Sequence, residues 1–300
     1  MKKSRHAGSL MLLLAAVIWG SAFVAQSMGM DHIQPFTFQA VRSLLGTLAL
    51  LPVILISDRI NKRNGRPSKD KDQGRQLLAG GTLCGVVLFL AMNLQQFGLV
   101  ETTAGKAGFL TALYILIVPL YGLFLGHKSR PALWLSVFIA AIGLYLLSVT
   151  EQFTVSRGDL LLILCAFFFA GQILLVDHYV MKVNGVKLCA LQFLVCGALS
   201  LMAMFVFEQP SIPNILSAAG PLLYAGVLSS GVAYTLQILA QRTTPPAVAS
   251  LLMSLEAAFA VITGILVLGQ VPSFREVIGS LLMFGAILVV QLTEKPRLPV

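Results

Sequence analysis

Apolar residues along this chain come in long unbroken runs rather than in alternation. A helix crossing the hydrocarbon core of a bilayer needs about 20 mostly apolar residues. That ruler places helices near 8–27, 35–57, 76–98, 102–124 and 132–149, and a second set near 159–180, 187–207, 217–240, 245–268 and 273–292. Most connections are short, with Pro, Gly or charge at their edges, as at Pro35, Gly126, Pro131, Gly158, Pro213, Pro245, Pro246 and Pro272. No segment alternates apolar and polar positions as a transmembrane strand must, so a β-barrel is set aside. The pattern predicts an all-α integral membrane protein with ten transmembrane helices.

The chain also resembles itself. The run opening at Gly8 aligns with the run opening at Gly158, an offset of 150. Gln96 followed by Thr102 and Thr103 matches Gln237 followed by Thr243 and Thr244, an offset of 141. Each Thr pair leads into a helix ending in Leu-Gly (Leu125 and Gly126, Leu268 and Gly269), and a final helix follows with Gly143 or Gly285 late in it. Residues 1–149 and 150–300 are therefore expected to be two five-helix repeats. Five is odd, so the second repeat enters the membrane from the opposite side. Such inverted repeats suit secondary transporters, whose halves exchange inward and outward shapes about a central site.

Composition agrees with lipid as the solvent: 57% of residues are apolar and only 11% charged, far from the balance of soluble proteins. The net charge of +9 would suggest nucleic acid only if the basic residues shared one folded face. Instead Arg59, Lys62, Arg63, Arg66, Lys69, Lys71 and Arg75 crowd one loop region between hydrophobic segments, and most others flank such segments. With the N-terminus inside, 17 Lys and Arg fall on cytoplasmic segments against Arg157, Arg275 and Lys106 outside. The positive-inside rule then puts both termini in the cytoplasm. Lys2, Lys3 and Arg5 before an apolar run mimic a signal peptide, but no small-x-small cleavage site follows and a retained first helix is expected. Cys84, Cys165, Cys189 and Cys196 lie in apolar runs without a CxxC pair, which predicts no metal site and no cofactor.

Trp19, Gly20 and Ser21 in the first helix, Arg42 in the second, the Ala233–Ala240 run with its Arg-Thr-Thr-Pro turn, and Ser250 to Glu256 running on to Leu268 and Gly269 form an ordered set. This set resembles the EamA-type branch of the drug/metabolite transporter superfamily over nearly the whole chain. The resemblance implies a 5+5 inverted repeat and a central cavity from helices 1–4 and 6–9, with helices 5 and 10 peripheral. Its members typically export amino acids or other metabolites. The Glu of helix 9 is usually followed by Pro, whereas Ala257 stands here, which implies a straighter helix at that point.

Ionisable groups within a bilayer are costly, so each is a candidate for function. Glu256 falls near the middle of helix 9, where desolvation penalises its charged form and makes it a candidate protonation switch. The alternative is a fixed ion pair or hydrogen bond. Arg42 lies seven residues inside helix 2, about 10 Å deep. It can pair with Glu256, hold a substrate carboxylate through both guanidinium nitrogens, or snorkel to the interface. Lys106, one turn inside helix 4, is expected to snorkel, and Asp177 and His178 to sit at an interface.

Asn93 and Gln96 share a face of helix 3, as Tyr234, Gln237 and Gln241 do on helix 8. The 141 offset pairs Asn93 with Tyr234 and Gln96 with Gln237, which suggests a cavity near the pseudo-twofold axis; interhelical hydrogen bonding would leave the same pattern. Trp19, Gln39 and Gln172 are further lining candidates. Ala16-x-x-x-Gly20 and Gly81-x-x-x-Gly85 predict close helix approach.

These features predict a secondary transporter of the bacterial inner membrane, a multi-pass protein working by alternating access on a small-molecule substrate. Export of a metabolite or amino acid is the expectation, with protons as a candidate coupling ion; import or facilitated diffusion is the alternative within the class. No GxxxxGK[ST] loop supports direct ATP use. No HExxH, GxSxG or paired-aspartate site supports an intramembrane enzyme, and loops under twenty residues leave little for a non-transporting scaffold.

Overall fold

The computed structural model describes residues 2–63, 71–126, 131–148, 156–268 and 273–293. These form helices α1 (Lys2–Met30), α2 (Pro35–Arg63), α3 (Lys71–Val100), α4 (Ala104–Phe124) and α5 (Pro131–Ser148). After them come α6 (Arg157–Val180), α7 (Gly185–Phe207), a short helix Ile212–Ser217, α8 (Ala219–Ala240), α9 (Pro246–Val267) and α10 (Phe274–Thr293). Among the described residues there is no strand. Eight of these helices are long and apolar enough to cross a membrane, while α5 and α10 carry the shorter apolar stretches Pro131–Leu146 and Val277–Val290. Arg66, Lys69, Lys128, Arg130, Gly269, Pro272, Lys295 and Arg297 lie outside the described residues.

Helix α2 runs past its expected end at residue 57 to Arg63, and α3 begins at Lys71 rather than 76. Charged residues with good helix propensity let these rods continue beyond the apolar stretch. The turns between α1 and α2 and between α6 and α7 are copies of one another. Met30 and Val180 end the first helix of each pair, and Pro35 and Gly185 start the second, both 150 residues apart. In each turn the same bond closes the helix end, Ile33 N–H to Gly29 O and Val183 N–H to Tyr179 O.

Packing joins one half of the chain to the other. Helix α1 packs on α8 and α9, and α6 packs on α3 and α4 in the matching way. Helix α2 packs on α7 and α8, α7 on α2 and α3, and α5 on α10. Exchanging the halves maps α2–α7 and α5–α10 onto themselves and each of the other pairings onto another.

Small residues permit that closeness. A Cβ added at Gly20 would stand 2.7 Å from Glu256 O and 2.8 Å from Ala260 N of α9. One added at Gly81 would meet Leu191 at 2.4 Å, and one at Gly85 would meet Val195 at 2.6 Å, both on α7. The spaced small residues therefore do mark helix seams.

Helices α4 and α9 are each interrupted midway. Helix α4 breaks at Leu113, between Ala104–Ala112 and Tyr114–Phe124, and α9 breaks at Ser254 and Leu255, between Pro246–Met253 and Glu256–Leu268. Ala257 in place of Pro therefore does not straighten α9. The cause in α9 is local. Ser250 Oγ donates to Ala247 O at 2.9 Å and Ser254 Oγ to Leu251 O at 2.8 Å. Such hydroxyl back-bonding competes with the helix ladder and bends it. Each break tightens into a three-residue turn, Leu113 N–H to Leu110 O and Ala257 N–H to Ser254 O.

Candidate functional site

A cavity lies where α1, α4, α8 and α9 meet, with α2, α3 and α6 around it. Its volume is about 40 Å³, room for a few water molecules. One face of α1 supplies Trp19, Phe23 and Gln26, spaced i, i+4, i+7. Arg42 comes from α2, Gln95 from α3, and Thr111 and Tyr114 from either side of the α4 break. From the other half come Phe169, Gln172 and Ile173 of α6, Ser229, Tyr234 and Gln237 of α8, and Met253 and Glu256 flanking the α9 break. Among the described residues, α5, α7 and α10 contribute none to the lining.

Arg42 is 2% exposed and does not snorkel. Its Nη1 donates to Gln26 Oε1 at 2.8 Å, Nη2 to Ser229 Oγ at 3.0 Å and Nε to Ser230 Oγ at 3.3 Å. All three acceptors are neutral. A guanidinium carries five N–H donors, and these contacts engage one on each nitrogen. Among the described residues Arg42 makes no ion pair, with Glu256 or any other carboxylate. The protein thus holds a buried cation by geometry without neutralising it.

Glu256 is 4% exposed and opens the second half of α9. The Tyr114 hydroxyl sits beside its carboxyl. Even so, Glu256 Oε1, Tyr114 Oη and the neighbouring Trp19 Nε1 make no hydrogen bond to the described protein. Buried polar atoms are nearly always partnered. Gln39 Oε1, Asn93 Oδ1 and Gln96 Nε2, away from the cavity, are open in the same way, so the open atoms alone do not single out a ligand-facing wall. Trp19 packs edge-on against Tyr234, ring centroids 4.8 Å apart, and Tyr234 against Phe193 of α7 at 5.0 Å, which holds both rings upright.

Of the residues singled out by sequence, Trp19, Arg42, Gln172, Tyr234, Gln237 and Glu256 converge on this cavity. Gln39, Asn93 and Gln96 do not. Gln39 Nε2 donates to Met92 O and to Gln96 Oε1, both at 3.0 Å, and Asn93 Nδ2 donates to Phe89 O at 2.8 Å and Ser200 Oγ at 3.2 Å. They tie helices together behind the cavity wall. The lining glutamine of α3 is instead Gln95, one position before Gln96, bonded to Thr111 Oγ1 at 3.3 Å. The matched stripe fails because residues Tyr224–Ala233 of α8 form a π-helix. Its i→i+5 bonds widen each turn by about one residue, so the face from Tyr234 onward is rotated relative to α3.

Gln39→Leu should lower thermal stability in detergent by about 0.6–2 kcal/mol, the range for interhelical hydrogen bonds in membranes, as read by unfolding of purified protein. Lys106 does not simply snorkel: its Nζ pairs with Asp159 Oδ2 at 2.7 Å, binding α4 to the start of α6. Gln26, Gln95, Thr111, Tyr114 and Ser229 were not anticipated. Gln26 was readable as i+7 from Trp19, and Tyr114 as i+3 from Thr111.

The helical fold and its likeness to known proteins identify a membrane transporter. A search of family models matches the EamA-like transporter family twice, over residues 6–149 and 156–292, so the chain belongs to that family, within the drug/metabolite transporter superfamily. An uncharacterized transporter of Archaeoglobus fulgidus is 30% identical over 94% of this chain and 84% of its own. A second from the same organism is 26% identical over 93% and 95%, and the uncharacterized transporter YoaV of Bacillus subtilis is 20% identical over 91% and 92%. One solved structure, titled only as the crystal structure of a protein, shares the fold with a TM-score of 0.76 at 18% identity, covering 95% of this chain and 96% of its own.

Proposed function

We propose that this chain is a secondary transporter that exports small metabolites or amino acids across the bacterial inner membrane by alternating access. In this reading ten helices cross the bilayer as a 5+5 inverted repeat with both termini cytoplasmic. The symmetric exchange of helix pairings and the Lys and Arg distribution support that topology.

The observation that carries the reading is Arg42. A cation held by neutral partners in a low-dielectric site attracts an anionic group strongly, and the substrate supplies it. Glu256, whose carboxyl lines the same cavity, suits the ammonium of an amino acid or a proton. The test is a flux screen of amino acids and small carboxylate metabolites in proteoliposomes. At least one should move saturably; flux no faster than through protein-free vesicles across the panel would overturn the reading.

Proton coupling through Glu256 is part of this proposal. Glu256→Gln preserves shape but cannot release a proton. It should bind substrate in a thermal-shift assay while losing acceleration by a pH gradient. Acceleration equal to that of the parent protein would remove Glu256 from the coupling step.

A further inference from the structure

The seam between α2 and α7 is fastened at both ends by carboxylates from opposite halves of the chain. At one end Glu208, the residue that follows α7, accepts from Phe36 N–H, Thr37 N–H and Thr37 Oγ1, each at 2.7 Å. At the other end Asp58, near the end of α2, pairs with Lys187 in the first turn of α7. Asp58 and Glu208 are 150 residues apart, and so are Thr37 and Lys187. The two fastenings are therefore one arrangement repeated at opposite ends of an antiparallel helix pair.

They differ in one telling way. The first N–H groups of a helix need an acceptor. In α7 the chain supplies it locally, since Asn184 Oδ1 accepts from Val186 N–H at 3.0 Å and Lys187 N–H at 3.2 Å. The equivalent position before α2 is Gln34, and the matching amides of Phe36 and Thr37 are capped by Glu208 from the other half. Helix α2 can complete its first turn in this way only while the seam is closed at that end.

We propose that these fastenings are the two latches of the transport cycle. Glu208 on the start of α2 holds the seam shut at one face, and Asp58 with Lys187 holds it shut at the other, so that they release in alternation. This rests on the alternating-access reading above, but not on the identity of any substrate. Between the latches the helices touch through Gly197 against Leu44, Ser43 against Cys196, and a long hydrogen bond from Thr47 Oγ1 to Ala190 O at 3.4 Å. These contacts are small and uncharged, and can slide more readily than the ends.

The test uses a single-cysteine reporter in the full-length protein. Cys84, Cys165, Cys189 and Cys196 are replaced by Ala, Met253→Cys is placed in the cavity wall, and a membrane-impermeant maleimide is applied from each face in oriented vesicles. Glu208→Ala should raise the labelling rate from the Glu208 face about tenfold and lower it from the other. Asp58→Asn should do the reverse.

The variant Gln34→Asn, added to Glu208→Ala, separates latch from cap. It gives α2 the local cap that Asn184 gives α7, so thermal stability should recover while labelling stays shifted. Labelling that returns to the parental rate on adding Gln34→Asn would overturn the latch and leave Glu208 a cap alone. Shifts toward the same face in both variants, or in neither, would also overturn it. Opposed shifts in a protein that moves no screened compound would count against the proposed function and leave the latches standing.

Discussion

Arg42→Met is expected to cut substrate flux in proteoliposomes by about 30-fold or more while leaving the protein about as stable as its parent. The fold-change corresponds to the loss of a desolvated, hydrogen-bonded charge contact, about 2 kcal/mol or more. The stability expectation has an independent reason. Burying a guanidinium is costly, and neutral acceptors such as Gln26, Ser229 and Ser230 compensate less than a carboxylate would. An apolar side chain of similar length removes that cost but leaves these three buried acceptors without their donor. The two effects oppose each other, so the net change in stability should be small beside the loss of flux. Flux and thermal unfolding in detergent should thus diverge. Loss of stability with unchanged flux per folded molecule would make Arg42 a structural residue and remove the main support for an anionic substrate group.

Gly20→Val should leave little folded protein in the membrane. The first added carbon would already lie 2.5 Å from Phe259 Cβ, 2.7 Å from Glu256 O and 2.8 Å from Ala260 N. Two of these are backbone atoms, which yield only if α9 moves as a unit. Overpacking of this kind costs about 3 kcal/mol or more, and it falls on the α1–α9 seam beside Glu256. The measurement is the monodisperse fraction on size exclusion after detergent extraction. Gly285→Ala is the control: nothing lies within 4 Å of the added carbon, and removing a helical glycine should add about 0.5–1 kcal/mol. A Gly20→Val protein that extracts as well as this control would contradict the packing described here.

The helical plan was legible because a bilayer imposes a length on apolar segments, and α7 (Gly185–Phe207) falls where residues 187–207 were expected. The break in α9 was not. Its cause is back-bonding by Ser250 and Ser254, which depends on side-chain rotamers rather than on a proline. Glu256 and Arg42 were legible as anomalies, since an ionisable group in an apolar run is conspicuous wherever it points. That they do not pair was decided by the packing of α2 against α1 and α8, which surrounds the guanidinium with Gln26, Ser229 and Ser230.

Uncharged lining residues were harder for a related reason. In a soluble protein an apolar stripe shows which way a helix faces. Here lipid and protein interior are both apolar, so the stripe vanishes and a polar residue can sit on a lining face or a packing face without changing the pattern. Gln95 and Gln96 are adjacent in sequence, yet one lines the cavity and the other is bonded to Gln39.

By itself, then, the sequence determined the solvent, the helical class, the doubling of the chain and two of the charged groups at its centre, because each is written in the kinds of residue and their spacing. Tertiary structure alone decided which polar side chains share a cavity. It also decided that Arg42 is buried among neutral hydrogen-bond partners, and that Glu208 caps a helix in the opposite half. Those facts depend on how each helix is rotated about its axis, and rotation is set by small-residue seams, by the π-helical turn in α8 and by contacts between residues far apart in the chain.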